Sequence, residues 1–134
     1  MAELMELEVA TPERLLVRED VADVQVPASN GYLGILPGHA PLLGRLGTGF
    51  LSYAAGGRRR YMAIQGGFLE VLPDHIRVLA DLAERAEEID VDRAKADLQQ
   101  ATGQVMHPDP HADPAVALEK AALAQARIDA GQKK

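Results

Sequence analysis

The stretch that decides the fold is residues 31–43, which read GYLGILPGHAPLL. Three glycines and two prolines interrupt an apolar run there, and His39 stands in its middle. Glycine allows and proline imposes tight turns, so the pattern predicts a rigid, sharply turned edge. Exposed side chains of Ile35 and Leu36 would offer apolar area to a partner. Packing of these two side chains into a core is the alternative.

The regions around this stretch, up to about residue 82, have a strand-like pattern. Residues 6–9, 23–26 and 75–78 alternate polar and apolar side chains, as half-buried strands do. Turn signals recur about every ten residues, which indicates an antiparallel sandwich or barrel. These signals are Thr11-Pro12, Ser29-Asn30-Gly31, Pro37-Gly38, Gly47-Thr48-Gly49, Gly56-Gly57, Gly66-Gly67 and Pro73-Asp74.

The region after residue 82 has a helical pattern instead. Asp90 is predicted to cap a first helix, which ends at residues 107–110 (HPDP) because proline cannot continue it. Asp113-Pro114 is predicted to start a second helix that ends near Gly131, giving an antiparallel hairpin. The apolar face of the first helix comprises Val91, Ala94, Leu98, Ala101 and Val105, and that of the second includes Leu118, Ala121, Ala122 and Ile128.

Both helical faces are rich in alanine. Burying an alanine methyl group removes little apolar area, at about 25 cal/mol per Å², so we expect the hairpin to dock weakly and to be able to detach. The chain is therefore divided into a sandwich at residues 1–83 and a linker with helical hairpin at residues 84–134.

The composition excludes several classes of protein. The net charge of −6, from 14 basic and 20 acidic residues, argues against a nucleic-acid surface. The basic run at residues 58–60 is predicted to be a solvated hairpin tip, with a contact to an acidic partner as the alternative. The chain has no cysteine, and no apolar run approaches the roughly 18 residues of a membrane span. An acidic start without a basic segment predicts a soluble, cytoplasmic chain.

The sequence does not indicate a catalytic or metal site. His107 and His111 are four residues apart, but the prolines between them exclude a helix, so a solvated loop is predicted. His75 is predicted to be an exposed strand residue. Neither serine lies in a nucleophile elbow, and no phosphate-binding glycine loop occurs. We predict no enzyme, no cofactor and no metal; a hydrolase centred on His39 is the alternative.

Four motifs together resemble the epsilon subunit of the rotary F-type ATP synthase. The run at residues 31–43 matches Gly-x-x-Gly-Ile-Leu-Pro-x-His-Ala-Pro-Leu. The others are LEVATPE at 7–13, GGFLEV at 66–71 and VLAD at 78–81, in the family's order and spacing. The resemblance implies an N-terminal antiparallel β-sandwich of about ten strands followed by a C-terminal two-helix hairpin.

The resemblance implies a non-catalytic rotor subunit. In that family the sandwich binds the shaft (gamma) subunit and rests on the c-ring, while the helices reach the alpha/beta catalytic head and inhibit ATP hydrolysis. By resemblance, the surface facing shaft or ring contains Tyr32, Ile35, Leu36 and His39. Many relatives have a glutamate where Tyr32 stands, so the ring contact would differ in detail. The chain would lie peripherally on the cytoplasmic face of the bacterial plasma membrane.

A nucleotide sensor is the second hypothesis, with ATP as a regulatory ligand. Some relatives hold ATP with Ile/Leu-Asp-x-x-Arg-Ala, which is present here as IDVDRA at residues 89–94. By resemblance, the candidate ATP-binding residues are Glu84, Ile89, Asp90, Arg93 and Arg127. Two further arginines of that pattern are Gln100 and Gly131 here, which leaves few cations for a polyphosphate. A helix cap at Asp90 and a surface ion pair at Arg93 are the alternative roles.

Overall fold

The computed structural model describes residues 3–133, in which a β-sandwich precedes two helices. The strands are β1 (Met5–Ala10), β2 (Leu15–Val21), β3 (Asp23–Ala28), β4 (Gly31–Ile35), β5 (Leu42–Arg45), β6 (Thr48–Ala55), β7 (Arg58–Leu72) and β8 (His75–Arg85). A short 3-10 turn at Ala86–Glu88 is followed by α1 (Val91–Met106) and α2 (Pro114–Gln132). Strand β8 thus extends two residues beyond the boundary that the sequence predicts between residues 83 and 84.

The strands are hydrogen-bonded in the order β2-β1-β8-β7-β6-β3-β4, and β5 pairs with β7. The alternating runs predicted at residues 6–9, 23–26 and 75–78 are confirmed as parts of β1, β3 and β8. Two details differ from the expected antiparallel sandwich of about ten strands. Strands β1 and β8 pair in parallel, and the described residues form eight strands.

Gly66 and Gly67 account for part of the lower strand number. They were expected to form a turn, but they lie inside β7, which is 15 residues long. Their φ angles of 67° and 110° bend the strand without ending it. Before the bend β7 pairs with β6, after it β7 pairs with β5, and β8 follows β7 on the other edge. One long strand pair therefore takes part in both layers of the sandwich.

The core is built from the inward side chains of these strands, which are almost all aliphatic. Alternation along β1 and β8 places every second residue inside, as the sequence predicts. The largest fully buried side chains are Met5, Leu7, Ile35, Leu51, Met62, Ile64, Leu69, Ile76, Val9, Val21, Val24 and Val26.

Both predicted helix starts are confirmed. The Asp90 carboxylate accepts a hydrogen bond from the Arg93 N–H at 3.0 Å, and the Asp113 carboxylate accepts one from the Ala115 N–H at 3.0 Å. Helix α1 ends at Met106, directly before the proline-containing segment. Helix α2 starts with proline in its first turn, where the missing N–H removes no helical hydrogen bond.

Helix α2 packs on β6 and β7, and α1 packs on α2. The contact with the sandwich is made by the C-terminal half of α2, where Ala124, Ala126, Ile128 and Ala130 are buried. The predicted apolar faces are therefore wrong at their distal ends, since Leu118 of α2 and Val105 of α1 are 57% and 40% exposed. The structure shows the hairpin docked; how weakly it docks stays a prediction.

Gly131 lies where the end of α2 approaches the segment that leads into α1. A Cβ at this position would lie 2.6 Å from Cγ2 of Val91 and 3.3 Å from Cγ2 of Ile89. The missing side chain therefore allows the close approach of α2. This position, where the resemblance would place an arginine, has a packing role in this chain.

Replacing Gly67 tests the bend in β7. A Cβ on Gly67 would lie 2.0 Å from the Leu79 carbonyl oxygen, and a positive φ is strained for alanine. We expect Gly67→Ala to lower the free energy of unfolding by about 2 kcal/mol or more, measured by chemical denaturation. Gly103→Ala is the matched control, because nothing lies within 4 Å of a Cβ there and α1 should gain about 0.5–1 kcal/mol. Equal stabilities of Gly67→Ala and the unaltered protein would contradict this account.

Candidate functional site

Tyr32 is exposed at its ring but its hydroxyl is engaged. Tyr32 is 49% exposed on edge strand β4, and its hydroxyl accepts a hydrogen bond from the Phe50 N–H at 3.1 Å. Pro27, which stands opposite Tyr32 in β3, has no N–H to donate. A Cβ on Gly49 would lie 2.4 Å from the Tyr32 hydroxyl oxygen, so only glycine leaves room for it. A partner that meets Tyr32 would therefore contact the exposed flank of its aromatic ring.

Ile35 and Leu36 have different surroundings. The prediction of an exposed Ile35 is wrong, because this side chain is 1% exposed and belongs to the sandwich core. It is the last residue of β4, and its partner in the strand ladder is the buried Val24. Leu36 is 64% exposed and stays a candidate contact residue.

His39 lies in a loop that is fixed by backbone hydrogen bonds. The Gly38 N–H donates to the Pro73 carbonyl at 2.7 Å, and the His39 N–H donates to the Leu36 carbonyl at 3.2 Å. The Nδ1–H of His39 donates to the Ala40 carbonyl at 2.7 Å. The imidazole therefore has a set orientation on the surface, and its Nε2 can accept a hydrogen bond from a partner.

The outer face of the sheet β2-β1-β8-β7-β5 has an apolar row that the sequence did not reveal. Phe68 stands opposite Leu79 in the β7–β8 ladder, and Ala10 stands opposite both Leu79 and Leu15. Phe68, Leu79 and Leu15 are 61%, 50% and 52% exposed. We call these three exposed side chains the outer apolar row; Leu43, on the same face, is 79% exposed.

A charged band runs beside the outer apolar row. Glu8 pairs with Arg77 at 3.3 Å and with Arg18 at 3.6 Å, and His75 Nδ1 lies 3.4 Å from Glu6 Oε1. Contrary to prediction, the His75 side chain is only 20% exposed. Glu6, Glu8 and His75 are close enough together to ligate a metal ion. However, Arg18 and Arg77 already neutralise carboxylate charge there.

The basic run at residues 58–60 follows a glycine turn, as predicted, but Arg59 is not simply solvated. Its guanidinium donates to the Asp23 carboxylate at 2.6 Å and to the Ser52 hydroxyl at 3.1 Å. Arg59 therefore ties β7 to β3 across β6 and is not free to meet an acidic partner.

Two of the candidate ATP-binding residues, Glu84 and Arg127, meet where the hairpin contacts the sandwich, whereas Arg93 is exposed at the start of α1, which packs on α2. The Arg127 guanidinium donates to both oxygens of the Glu84 carboxylate, at 2.7 and 3.2 Å. Asp97 lies 3.8 Å from Arg127 and 3.7 Å from Arg93, so it links these two cations. The sequence reading missed Asp97, although its i, i+4 spacing from Arg93 on α1 is a recognisable signal.

Arg127 separates two grooves, of about 290 and 340 Å³. The hydrogen bonds to Glu84, and the charges of Glu84, Asp97 and Asp90, raise the pKa of Arg127 above its ordinary value. Arg127 is thus committed to its carboxylate partners in this state. Ile89 is 5% exposed among the side chains that join α2 to the sandwich, which leaves it little surface for a ligand.

The linker before α1 is fastened to the sandwich by arginines. Arg14, in the β1–β2 connection, donates to both oxygens of Glu88 at 3.0 and 3.1 Å. Arg85 donates to the Leu16 carbonyl at 2.6 Å, and the Arg85 N–H donates to Glu88 at 3.2 Å. Any detachment of the hairpin would therefore begin after Glu88.

Comparison with known proteins agrees with this architecture. The model of the family described as "ATP synthase, Delta/Epsilon chain, beta-sandwich domain" matches residues 4–86. The chain is 59% identical to the ATP synthase epsilon chain of Solibacter usitatus (strain Ellin6076), over 100% of both chains. It is 52% identical to that of Koribacter versatilis (strain Ellin345) over 71% of this chain and 67% of the relative.

Two solved structures share the fold. A chain of the Euglena gracilis mitochondrial ATP synthase, determined by cryo-EM as OSCP/F1/c-ring in rotational state 1, superposes with a TM-score of 0.76 at 24% identity. That match covers 97% of this chain and 80% of the Euglena chain. A chain of the Tetrahymena thermophila mitochondrial ATP synthase central stalk/c-ring gives 0.65 at 17% identity, covering 95% and 96%.

The sandwich followed by a docked hairpin defines a protein of the ATP synthase delta/epsilon class. Within that class, the full-length identity shows that this chain belongs to the family of ATP synthase epsilon chains. Among residues 3–133, no helix is long and apolar enough to cross a membrane.

The linker contact predicts a specific response to acid. The hydrogen bonds from Arg14 hold the pKa of Glu88 below its ordinary value of 4.5. Because this folded-state pKa is depressed, the contribution of Glu88 to stability is present above the unfolded pKa and is lost as pH falls through the folded pKa. We expect the free energy of unfolding, measured from about pH 6 to about pH 3, to fall less steeply in Glu88→Gln than in the unaltered protein.

The matched control for this experiment is Glu87→Gln, an exposed neighbour of Glu88. Its pH profile should follow that of the unaltered protein. Because Arg14 and Glu88 are 44% and 36% exposed, added salt should reduce the difference. Parallel profiles for Glu88→Gln and the unaltered protein at low salt would contradict the prediction.

Proposed function

We propose that this chain is the non-catalytic central-stalk subunit of a bacterial F-type ATP synthase. It couples proton-driven rotation of the c-ring to ATP synthesis, and its C-terminal helices inhibit ATP hydrolysis. Support comes from the epsilon chain of Solibacter usitatus at 59% identity and from structural neighbours that lie in ATP synthase assemblies. The complex holds the chain peripherally at the cytoplasmic face of the membrane, and the net charge of −6 disfavours a nucleic-acid partner.

The observation that carries the proposal is the outer apolar row. An exposed row of large apolar side chains beside a charged band is the usual composition of a protein-binding surface. Phe68 is the largest side chain in the row and is 61% exposed, so it is the expected anchor residue. We assign this face to the shaft (gamma) subunit, with Leu43 at its margin.

The c-ring contact is assigned to the end of the sandwich that carries Leu36 and His39. The backbone hydrogen bonds around Gly38 hold this loop in one conformation, so binding costs little conformational entropy. Leu36 supplies exposed apolar area, and the exposed flank of Tyr32 supplies an uncharged contact. Head contact is assigned to the distal hairpin, where Met106 and Leu118 are 69% and 57% exposed.

Shaft binding provides the test of this proposal. We expect Phe68→Ala to weaken binding of the full chain to the isolated shaft subunit by about tenfold or more, because the anchor side chain is lost. Leu118→Ala is the matched control, since Leu118 is similarly exposed but lies on the hairpin. Titration calorimetry measures both affinities. Unchanged shaft affinity in Phe68→Ala would exclude this face as the docking surface.

A nucleotide sensor is the second candidate, and one observation favours it. Glu84, Arg127, Asp97 and Arg93 form a continuous polar chain next to two grooves, one between α1 and α2 and one between α2 and the sandwich. The two arginines face at least as many carboxylates, so an entering polyphosphate must displace Glu84 from Arg127. ATP binding would then clamp the hairpin in the docked position.

The ATP hypothesis makes a prediction about two substitutions in the full chain. If ATP binds here, Glu84→Gln should raise its affinity, because the amide carries no charge and frees Arg127 for phosphate. Arg127→Ala should abolish binding, and Lys95→Ala, at an exposed position on α1, should leave it unchanged. NMR shifts at Arg93 during ATP titration report all three. No saturable shift at millimolar ATP, in the unaltered chain or in Glu84→Gln, would end this hypothesis.

A further inference from the structure

Three aromatic rings form a row across the sheet beneath the end of the hairpin. The ring centroids of Tyr32 and Phe50 are 5.4 Å apart with an interplanar angle of 44°. Those of Phe50 and Tyr61 are 6.1 Å apart with an angle of 56°. Both pairs have the tilted geometry that aromatic quadrupoles favour. The row leads from edge strand β4 through β6 to β7. Helix α2 rests on the last two of these strands, β6 and β7.

The hairpin contacts the far end of this row through Lys133. The Lys133 Nζ lies 5.3 Å from the centroid of Phe50 and 5.9 Å from that of Tyr61. Both distances are within the roughly 6 Å range of a cation–π interaction. The close packing of Gly131 against Val91 sets the end of α2 in this position.

The near end of the row is held by the Tyr32 hydroxyl. Pairing between β3 and β6 is observed from Asp23 to Gln25 and stops before Pro27. The Phe50 N–H donates to the Tyr32 hydroxyl instead, so a side chain of β4 satisfies a backbone group of β6. Phe50 therefore makes both contacts: its backbone N–H bonds to Tyr32, and its ring lies under Lys133.

We propose that this row couples the position of the hairpin to the order of edge strand β4. With the hairpin docked, Lys133 holds the Phe50 ring, which stabilises the hydrogen bond from Phe50 to Tyr32. Undocking of the hairpin removes Lys133, and both Tyr32 and β4 become less ordered. Coupling of this kind is reciprocal, so loss of the Tyr32 contact also loosens the end of α2. This coupling does not depend on the proposed function. Only the assignment of the c-ring as the partner at this edge rests on it.

Amide hydrogen exchange in the isolated full chain tests the coupling directly. The Phe50 amide reports the bond to Tyr32, the amides of residues 126–130 report docking of α2, and the Val78 amide in β8 corrects for global unfolding. Lys133→Ala should accelerate Phe50 exchange about two- to fivefold, the range that an exposed cation–π interaction implies. Tyr32→Phe keeps the ring but removes the acceptor, and it should accelerate exchange at residues 126–130.

Two controls separate the coupling from a general loss of charge or stability. Lys133→Arg keeps a cation above the rings and should exchange like the unaltered protein, as should Lys95→Ala on α1. Unchanged Phe50 exchange in Lys133→Ala would overturn the proposal. Unchanged exchange at residues 126–130 in Tyr32→Phe would overturn it equally. Because the isolated chain is used, either result is independent of the shaft-binding experiment.

Discussion

The close approach of Gly67 to β8 is the constraint on which the rest of the structure depends. A Cβ there would lie 2.0 Å from the Leu79 carbonyl oxygen, so the bend in β7 requires glycine. The bend lets one edge of β7 pair with β6 before it and with β5 after it, while β8 pairs with the other edge. It also presents Phe68, the next residue, on the outer face. The two pairings of β7 and the position of Phe68 in the outer apolar row therefore follow from one backbone contact.

The two faces of the sandwich differ in whether the hairpin covers them. The outer apolar row is left open by the chain's own structure, as expected of a surface that a partner covers. The face on β6 and β7 is covered by α2 through small side chains, chiefly Ala126 and Ala130, and Gly131 allows the helix to come close. Because these side chains are small, we predict that this cover is reversible, while Arg14 keeps the linker attached at Glu88.

The features that could be predicted from sequence are those that depend on neighbouring residues. Alternation identified parts of β1, β3 and β8, and Asp90 and Asp113 identified the helix starts, because capping involves residues only two or three positions apart. Gly66-Gly67 was misread, since a glycine pair looks the same whether it ends a strand or bends it. Ile35 was misplaced because the stretch around it lacks the alternation that shows which side chains point inward.

The polar and aromatic contacts across the fold could not be predicted in the same way. Arg127 and Glu84 are 43 residues apart, and Tyr32 is 18 residues from Phe50. Only the packing of α2 on the sheet brings the first pair together, and only the interruption at Pro27 explains the second. The resemblance to a family pointed to Glu84 and Arg127 individually. It did not indicate that Glu84 and Arg127 form an ion pair with each other, nor that Asp97 links Arg127 to Arg93.

The measurement that tests the central claim most directly uses the assembled synthase with two forms of this chain, whole and truncated after Glu88. ATP hydrolysis and proton-driven ATP synthesis are measured for both forms. The account predicts that truncation raises hydrolysis while synthesis is retained, because the sandwich keeps its shaft and ring surfaces and only the inhibitory hairpin is lost. Unchanged hydrolysis after truncation would contradict it, since the hairpin would then have no regulatory role.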